Sequence, residues 1–412
     1  MSAATPVPCR SCRGLDLRTF LDLGVTPLAD ALVVAERLDA PEDRYRLEVA
    51  FCPECALVQI LEEVPPQKLF VDNYLYFSSF SDAVVEHGRR HAARLVAQRG
   101  LGPDSLVVEI GSNDGYMLEN FVVAGVPVLG IDPAPDQAAA ATAAGVATID
   151  AFFGADLAEA LRQDGSVADV IVANNVLAHV PALNDFVDGM AILLADDGLI
   201  TVENPWVKTL IDDVEFDTIY HEHHCYYSCT SIDRLMRRHR LYLNDVEYFP
   251  ELHGGTLRWY IGHHDDPSSR VVEYLELERE AGLDRFGYYA RFGERVERVA
   301  AELRALIAGL VADGAAVAGY GAAAKGATML NYAALGTELV SYVVDRNRYK
   351  QGRHMPGTHQ PILDPGVLTE RRPDYLLLLA WNFAKEIAEQ QAGYLAGGGR
   401  MILPVPEPRI LP

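Results

Sequence analysis

Residues 220–227 read Tyr-His-Glu-His-His-Cys-Tyr-Tyr and contain three histidines, an acid, a thiol and three tyrosines. Such a tract could bind a metal ion, or it could supply a general base in which a histidine is oriented by acid and hydroxyl neighbours. The H-E-x-x-H motif of zinc proteases is absent, because Cys225 stands where its second histidine would be. Side chains alternate along an extended segment, so Glu222 and His223 can act together only if a turn intervenes. A buried polar network without chemistry is the alternative.

The cysteines form three close pairs, and two of these pairs have C-x-x-C spacing. Four thiolates in two such pairs are the usual ligands of a tetrahedral structural zinc site, so we predict that zinc is bound by Cys9, Cys12, Cys52 and Cys55. Redox-active dithiols or unrelated cysteines are the alternatives. The third pair, Cys225 and Cys229, indicates buried small side chains first and a metal site second.

The segment Val107–Gly115 predicts a strand, a glycine loop and the start of a helix, which is the opening of a nucleotide-type βαβ unit. Its pattern is Glu109-x-Gly111-x-x-x-Gly115 rather than the G-x-G-x-x-G of dinucleotide folds. A bare main chain with an acid nearby suits a cationic, zwitterionic ligand such as S-adenosylmethionine better than it suits a pyrophosphate. An ordinary tight turn between strand and helix is the alternative.

Strand and helix patterns alternate from residue 106 to residue 203, which predicts a mostly parallel, doubly wound α/β sheet. Ligands collect at the carboxyl ends of such strands. The polar residues at or just past these ends are Glu109, Asp132, Asp150, Asn174, His179 and Glu203. We interpret Asp132 as a partner of two ribose hydroxyls, and Asp150 with Phe152 as partners of an adenine edge and face. Each of them taken singly is more often a capping or solvated residue.

A second strand–helix series fills the C-terminal third, where Gly319-Tyr320-Gly321-Ala322-Ala323-Ala324 matches the G-x-G-x-x-A variant of the dinucleotide motif. Backbone amides at the start of the following helix suit a phosphate, and Lys325 could add a counter-charge. The basic residues Arg346, Arg348, Lys350 and Arg353 follow the next strand. We predict an anion site here; a set of packing glycines with a solvated charge run is the alternative.

The net charge of −23 argues against a nucleic-acid partner and against binding to an anionic membrane. The longest apolar runs have the length of a core strand, and residues 1–8 lack the features of a signal peptide. We therefore expect a cytoplasmic protein without structural disulfides. A chain of 412 residues is expected to form two or three domains.

Taken in order, these motifs resemble the S-adenosylmethionine-dependent C-methyltransferases that act on nucleotide-linked keto-deoxysugars in antibiotic biosynthesis. The similarity spans essentially the whole chain and also includes Tyr74-x-Tyr76-x-Ser78-Ser79, Asn175-x-x-x-His179, His253-Gly254-Gly255 and Trp381-Asn382. It implies a zinc module at residues 1–70, a class I methyltransferase domain at 71–245 and a Rossmann-like sugar-nucleotide domain at 246–412. A monomer or a weak homo-oligomer is expected.

The resemblance and the strand-end pattern together imply roles for individual residues. The base would be His223, oriented by Glu222, and the sugar with its enolate oxygen would be surrounded by Tyr76, His179 and Tyr220. The methyl donor would contact Glu109, Gly111, Asn113, Gly115, Asp132, Asp150, Phe152, Asn174 and Asn175. The sugar nucleotide would contact Tyr74, Ser78, Ser79, His253, Gly254, Gly255, Tyr320, Gly321, Lys325, Arg353, Trp381 and Asn382. Because His221, His224 and Cys225 depart from the family pattern, a neighbouring histidine could share the base role.

The implied reaction is methylation of the carbon beside the C4 ketone of a dTDP-linked 4-keto-deoxyhexose. A base removes the acidified proton, and the enolate carbon takes the methyl group. We expect reaction at C3, with C5 as the runner-up because the ketone acidifies both neighbours. An NAD-dependent oxidoreductase, suggested by Asp345 after the second glycine motif, and a zinc-ribbon interaction protein are the alternatives from other classes.

Overall fold

The computed structural model describes residues 7–70 and 75–411. The first hundred residues form β1 (Arg18–Pro27), β2 (Arg44–Phe51), β3 (Val58–Ile60), α1 (Pro66–Phe70) and α2 (Asp82–Arg99). The middle of the chain forms β4 (Val107–Ile110), α3 (Leu118–Val123), β5 (Val128–Ile131), α4 (Pro135–Ala143), β6 (Thr148–Ile149), α5 (Ala155–Gln163), β7 (Ala168–Asn174), α6 (Leu183–Leu193), β8 (Leu194–Pro205), α7 (Val207–Asp212), β9 (Cys225–Tyr226), α8 (Cys229–Arg238), β10 (Tyr242–Phe249) and β11 (Thr256–Gly262).

The last part of the chain forms α9 (Ser269–Ala281), α10 (Phe286–Tyr289), α11 (Phe292–Ala312), β12 (Val317–Tyr320), α12 (Ala324–Tyr332), β13 (Val343–Val344), β14 (Ile362–Leu363), α13 (Val367–Arg371), β15 (Tyr375–Leu378), α14 (Ala384–Gln390), α15 (Ala392–Ala396), β16 (Arg400–Leu403) and β17 (Arg409–Ile410). Short 3-10 helices cover Ala35–Arg37, Ser78–Phe80, Leu177–His179, Phe216–Thr218 and Trp381–Phe383. No helix of the described ranges is long and apolar enough to cross a membrane.

The predicted doubly wound sheet is confirmed, with strand order β10-β11-β8-β7-β4-β5-β6. Its buried strands contribute to two hydrophobic cores, one on each face of the sheet. Val107 belongs to the core that includes α2 and α3, and Val108 belongs to the core that includes α6 and α8. Strand β4 pairs in parallel with both β5 and β7, so the chain leaves β4 in one direction and later returns on its other side. Such a switch point opens a crevice beyond the carboxyl ends of the strands.

The boundary predicted between residues 245 and 246 falls inside strand β10. Strands β10 and β11 form an antiparallel hairpin that pairs with β8, so this sheet extends to Gly262. The apolar alternation of the hairpin did not show which sheet it would join, and only its pairing with β8 does so.

The N-terminal sheet has the order β1-β2-β3-β9 and therefore includes a strand from the reactive tract. Gln59 of β3 is the pairing partner of Cys225 of β9. This module also shares a core with the C-terminal part of the chain, as shown by the ring of Tyr289, which lies 5.2 Å from Phe20 and 4.8 Å from Phe51. The reactive tract thus lies where the parts of the molecule meet.

The C-terminal sheet has the order β14-β13-β12-β15-β16-β17, and β12 pairs in parallel with both β13 and β15. A second switch point therefore lies beyond β12. Gly321 follows this strand with a φ of +94°, and a Cβ there would lie 2.6 Å from the Cβ of Ala380. Only glycine fits this close approach, which lets the backbone turn directly into α12.

Candidate active site

The four predicted zinc ligands come together in the N-terminal module. Their sulfur atoms all lie within 4.8 Å of one another, and the Cys9–Cys55 and Cys12–Cys52 sulfur pairs are each 3.5 Å apart. A tetrahedral zinc with Zn–S bonds of about 2.3 Å requires sulfur separations of about 3.8 Å, so this cluster fits the ion. Both knuckles use the same turn, in which the carbonyl of the first cysteine accepts a backbone bond from the residue four positions later.

No second cluster of this kind occurs within residues 7–70 and 75–411, so the reactive tract does not form a metal site there. The interpretation of Cys225 and Cys229 as buried small side chains is confirmed. The indole nitrogen of Trp259 donates to the sulfur of Cys229 at 3.4 Å.

A cavity of about 670 Å³ lies between the three parts of the chain and is lined by most of the predicted site residues. From the predicted catalytic set it includes Tyr76, His179, Tyr220, Glu222 and His223. From the methyl-donor set it includes Gly111, Asn113, Asp132, Phe152, Asn174 and Asn175. From the sugar-nucleotide set it includes Ser78, His253, Tyr320, Gly321, Lys325 and Asn382. One continuous space therefore joins both strand-end crevices.

Several predicted residues do not line this cavity. They are Glu109, Gly115, Asp150, Ser79, Gly254, Gly255 and Trp381. Arg353 instead lines a second cavity of about 470 Å³ beside the N-terminal module. Tyr74 lies outside the residues that the structure describes.

Glu109 is a residue of the glycine-loop motif that does not line the cavity. Its side chain is 1% exposed, and burial followed by repulsion from Asp132 raises its pKa well above the usual range of a carboxyl. The acid of the motif is therefore buried, and one of its carboxyl oxygens has no hydrogen-bond partner within the described residues.

The methyl-donor end of the cavity is organised by Asp132. One of its oxygens accepts the backbone N–H of Asn113 at 2.8 Å, and the other accepts that of Ala134 at 2.9 Å. Burial raises the pKa of Asp132 to about 6. Gly111, with a φ of +67°, keeps the crevice open, because a Cβ there would lie 2.2 Å from a methyl group of Val176.

This end also fits the chemistry of S-adenosylmethionine. The buried side-chain oxygen of Asn174 has no hydrogen-bond partner within the described residues, so it can accept from an ammonium group. Asp132 can accept from hydroxyls, and Phe152, 42% exposed, offers an aromatic face. An uncompensated acceptor beside a carboxylate matches a cationic ligand with ribose hydroxyls.

The side chain of Asn113 bonds to the segment that carries Tyr76. Its side-chain oxygen accepts the backbone N–H of Ser78 at 2.9 Å, and its amide nitrogen donates to the backbone oxygen of Tyr76 at 3.1 Å. These bonds hold the segment that carries Tyr76 against the glycine loop.

The turn required by the reactive tract is present at residues 220–223, where the backbone N–H of His223 donates to the oxygen of Tyr220 at 2.9 Å. Nδ1 of His223 lies 2.8 Å from the backbone oxygen of Thr218, which can only accept, so Nδ1 carries the proton. Nε2 then accepts the hydroxyl proton of Tyr220 at 2.9 Å. Burial, followed by the neighbouring His179, holds the pKa of His223 well below its usual range. His223 is therefore neutral and has its Nε2 lone pair as an acceptor.

His179 is a second neutral imidazole, with its ring centre 4.8 Å from that of His223. Its Nδ1 donates to the backbone oxygen of Glu222 at 2.8 Å, which makes its Nε2 an acceptor as well. Burial lowers the pKa of His179 to about 4. The 3-10 helix that follows β7 carries this residue to the cavity.

Glu222 is 4% exposed and lies beside a carboxyl group that the sequence did not indicate, that of Asp30. Burial, followed by repulsion from Asp30, raises the pKa of Glu222 well above its usual range, which favours its protonated form. The ammonium of Lys350 lies 4.0 Å from Asp30 and donates to the backbone oxygen of Ala322 at 2.8 Å. Asp30 belongs to no motif, and only the folded N-terminal module brings it to the cavity.

The two other histidines of the tract do not line the cavity. Nε2 of His221 bonds to the backbone oxygen of Arg46 at 3.2 Å, and its ring packs against Tyr45. His224 is fully buried, and burial lowers its pKa to about 3. Their positions give both a packing role.

The sugar-nucleotide end of the cavity contains the start of α12. The ammonium of Lys325 donates to the side-chain oxygen of Asn382 at 2.8 Å and lies 4.6 Å from the ring centre of Trp381. Asp345, at the end of β13, accepts the backbone N–H groups of Ala322 and Asn347, each at 2.7 Å. The arrangement presents a cation beside free helix amides, which suits a phosphate.

Comparisons with known proteins divide the chain in the same three parts. A zinc-binding domain matches residues 9–70, a methyltransferase domain matches 84–243, and a C-methyltransferase C-terminal domain matches 251–406. The C-methyltransferase NovU of Streptomyces niveus is 38% identical over 408 residues, which are 98% of this chain and 96% of that protein.

Solved methyltransferase structures resemble part of the chain. Magnesium protoporphyrin IX methyltransferase (ChlM) from Synechocystis PCC 6803 with bound SAM is 15% identical, with a TM-score of 0.34, and the match covers 47% of this chain and 88% of that one. An S-adenosylmethionine-dependent methyltransferase from Clostridium acetobutylicum ATCC 824 is 10% identical, with a TM-score of 0.32, and the match covers 45% and 92%.

Proposed function

The chain belongs to the S-adenosylmethionine-dependent C-methyltransferases with an N-terminal zinc-binding domain, and we propose that it methylates C3, beside the C4 ketone, of a dTDP-linked 4-keto-deoxyhexose. One observation carries the proposal. A single cavity contains the methyl-donor crevice, the neutral imidazole of His223 and the cationic start of α12. Methyl transfer to an acidified carbon needs a base, and this arrangement supplies one between two ligand sites.

Bound S-adenosylmethionine supplies an electrophilic methyl group. The chain holds it with Asp132, which accepts from hydroxyls, and with Asn174, which accepts from the ammonium group. The carbon that receives the methyl group then has to be activated by the protein.

His223 takes the proton from C3 of the sugar. The C–H bond breaks, its electron pair delocalises onto the ketone oxygen, and the proton goes to Nε2. The hydroxyl of Tyr220 occupies this nitrogen at 2.9 Å and must be displaced as the sugar enters. Thr218, whose oxygen accepts the Nδ1 proton at 2.8 Å, stabilises the imidazolium that forms. The enolate carbon then forms the new bond to the methyl group, and the methyl–sulfur bond breaks.

Two neutral donors stabilise the enolate oxygen. One is the hydroxyl of Tyr220 after the sugar has displaced it from His223. The other is the carboxyl of Glu222, whose protonated form is favoured by burial and by Asp30. A carboxylic acid that stays neutral at physiological pH can donate a hydrogen bond, and donors placed where charge develops are among the largest catalytic contributions.

The dTDP group is proposed to bind at the sugar-nucleotide end. Lys325 and the amides at the start of α12 contact its phosphates, while Tyr320, His253 and Asn382 surround the path from the nucleotide to the reacting carbon. The two halves of the substrate are then fixed to the C-terminal part of the chain, with the sugar facing the donor.

A labelling experiment tests the proposal. The protein is incubated with methyl-labelled donor and a set of dTDP-4-keto-deoxyhexoses, and the product is analysed by NMR. A new carbon–carbon bond at C3 is expected. A methyl group at C5 would keep the reaction class and correct the position, whereas no incorporation into any of these sugars would overturn the substrate class. Reduction or oxidation of a nicotinamide cofactor would favour the oxidoreductase alternative.

A further inference from the structure

Trp381 bonds to the protein segment that carries the base, although its position after β15 predicted a contact with substrate. Its indole N–H donates to the carboxylate of Asp217 at 2.7 Å. Asp217 is fully buried in the 3-10 helix Phe216–Thr218. The bond therefore joins the C-terminal sheet to the segment just before the reactive turn.

Asp217 is the neighbour in sequence of the residue that contacts the base. The next residue, Thr218, is the one whose backbone oxygen accepts the Nδ1 proton of His223 at 2.8 Å. The backbone oxygen of Ile219 accepts a further bond, at 3.3 Å, from the hydroxyl of Thr328 on α12. The C-terminal part thus holds the segment on both sides of the carbonyl that determines which nitrogen of His223 is protonated.

The same indole also contacts Lys325, the lysine proposed to bind the substrate phosphates. Its ring lies 4.6 Å from the ammonium of Lys325, which lines the cavity and attracts the carboxylate of Asp217. Glu215 also faces this lysine from the other side of the segment. One oxygen of Asp217 accepts the indole bond and the other has no hydrogen-bond partner within the described residues, so losing the indole N–H weakens the compensation of this buried carboxylate.

We propose that Trp381 and Asp217 are positioning residues that hold the Thr218 carbonyl against Nδ1 of His223. They thereby keep Nε2 unprotonated, so that it can accept the proton from the sugar. This inference rests on the proposed function, in which His223 is the base. It explains how the C-terminal part, which takes the nucleotide, also sets the state of the base, without any contact between Trp381 and the sugar.

The test compares Trp381→Phe with a matched control. Phenylalanine keeps an aromatic ring near Lys325 but removes the N–H together with one ring of the indole, so the control has to lose the same atoms. Trp206→Phe removes the same type of bond, since Trp206 donates to the buried carboxylate of Glu278 at 2.8 Å, away from the cavity. We expect kcat of Trp381→Phe to fall roughly tenfold or more, the effect of losing one hydrogen bond to a charged group, with little change in either KM. Trp206→Phe should keep its kcat.

Nitrogen-15 NMR of labelled histidine gives a second readout that needs no turnover. In the wild-type protein His223 should show the Nδ1-protonated form, and Trp381→Phe should show a mixture of tautomers. Asp217→Asn keeps an acceptor for the indole and should retain the wild-type tautomer, whereas Asp217→Ala should not. The double variant Asp217→Ala/Trp381→Phe should be no slower than Asp217→Ala alone.

Wild-type kcat and tautomer in Trp381→Phe would overturn the inference, and so would equal losses of kcat in Trp381→Phe and Trp206→Phe. Additive losses in the double variant would do the same. If the wild-type protein transfers no methyl group to a sugar, the proposed function fails, while the tautomer comparison still decides whether Trp381 and Asp217 control His223.

Discussion

Replacing His223 with alanine removes the group proposed to take the proton. A general base contributes about 10²- to 10⁴-fold to a rate. At roughly 1.4 kcal/mol for each factor of ten, this corresponds to about 3–6 kcal/mol of barrier. His223→Ala should therefore reduce kcat by that factor while the methyl donor and dTDP bind as before. The change also removes a partner from the buried oxygen of Thr218, at a cost to stability of about 1–3 kcal/mol.

Two assays separate the chemistry from folding. Methyl transfer reports the whole reaction. Exchange of the C3 proton for deuterium, with S-adenosylhomocysteine in place of the donor, reports proton removal alone. His221→Ala is the matched control, because His221 lies in the same turn and is buried but does not line the cavity. It should lose stability in denaturant unfolding and keep the exchange rate of each folded molecule.

The neighbouring His179 provides the competing explanation. Its Nε2 is also an acceptor, and its ring centre is 4.8 Å from that of His223. If His223→Ala exchanges the proton at the wild-type rate and His179→Ala does not, then the base is His179 and the reasoning from the Thr218 contact is refuted. If both variants retain exchange, neither imidazole removes the proton.

Three further outcomes follow from the site. Burial places the pKa of Asp132 at about 6, so the carboxylate is ionised above that pH; affinity for S-adenosylmethionine in calorimetry should rise as pH increases through 6, and Asp132→Asn should lose this dependence without weakening dTDP. Metal analysis should find one zinc per chain, and Cys52→Ser should lower both the zinc content and the melting temperature. Asp30→Asn removes a charge that keeps Glu222 protonated, so the fall of kcat on the alkaline side should begin at lower pH; an unchanged alkaline limb would show that Asp30 does not act through Glu222.

The sheets and the zinc cluster could be predicted because their signals are local. A strand buried on both faces reads as a continuous apolar run, as residues 170–173 of β7 do, and two C-x-x-C knuckles are sufficient to specify four thiolates. The pairing of β10 and β11 with β8 could not be predicted in this way, because an alternating hairpin is compatible with either sheet.

The site residues also differ in whether local sequence could predict them. Tyr220, Glu222 and His223 are neighbours in sequence, and their turn follows from the need to present adjacent side chains together. Asp30 lies in a segment without any motif, and its approach to Glu222 depends on how the N-terminal module packs. Which nitrogen of His223 is protonated depends on a carbonyl five residues earlier in the chain, which sequence spacing does not show.

The zinc module holds the reactive turn in place, although its four cysteines do not line the cavity. Immediately after the reactive turn, the chain enters β9, which pairs with β3 between residues 58–59 and 225–226. The backbone oxygen of His224 accepts a bond from Ile60 at 3.0 Å, and its N–H donates to Ala178, beside His179, at 2.7 Å. The turn is thus fixed between the zinc module and the methyl-donor sheet on one side, and Trp381 anchors the segment before it on the other. A base placed on a loop gains a defined position only when both ends of that loop are held, which gives a physical reason for combining three modules in one methyltransferase.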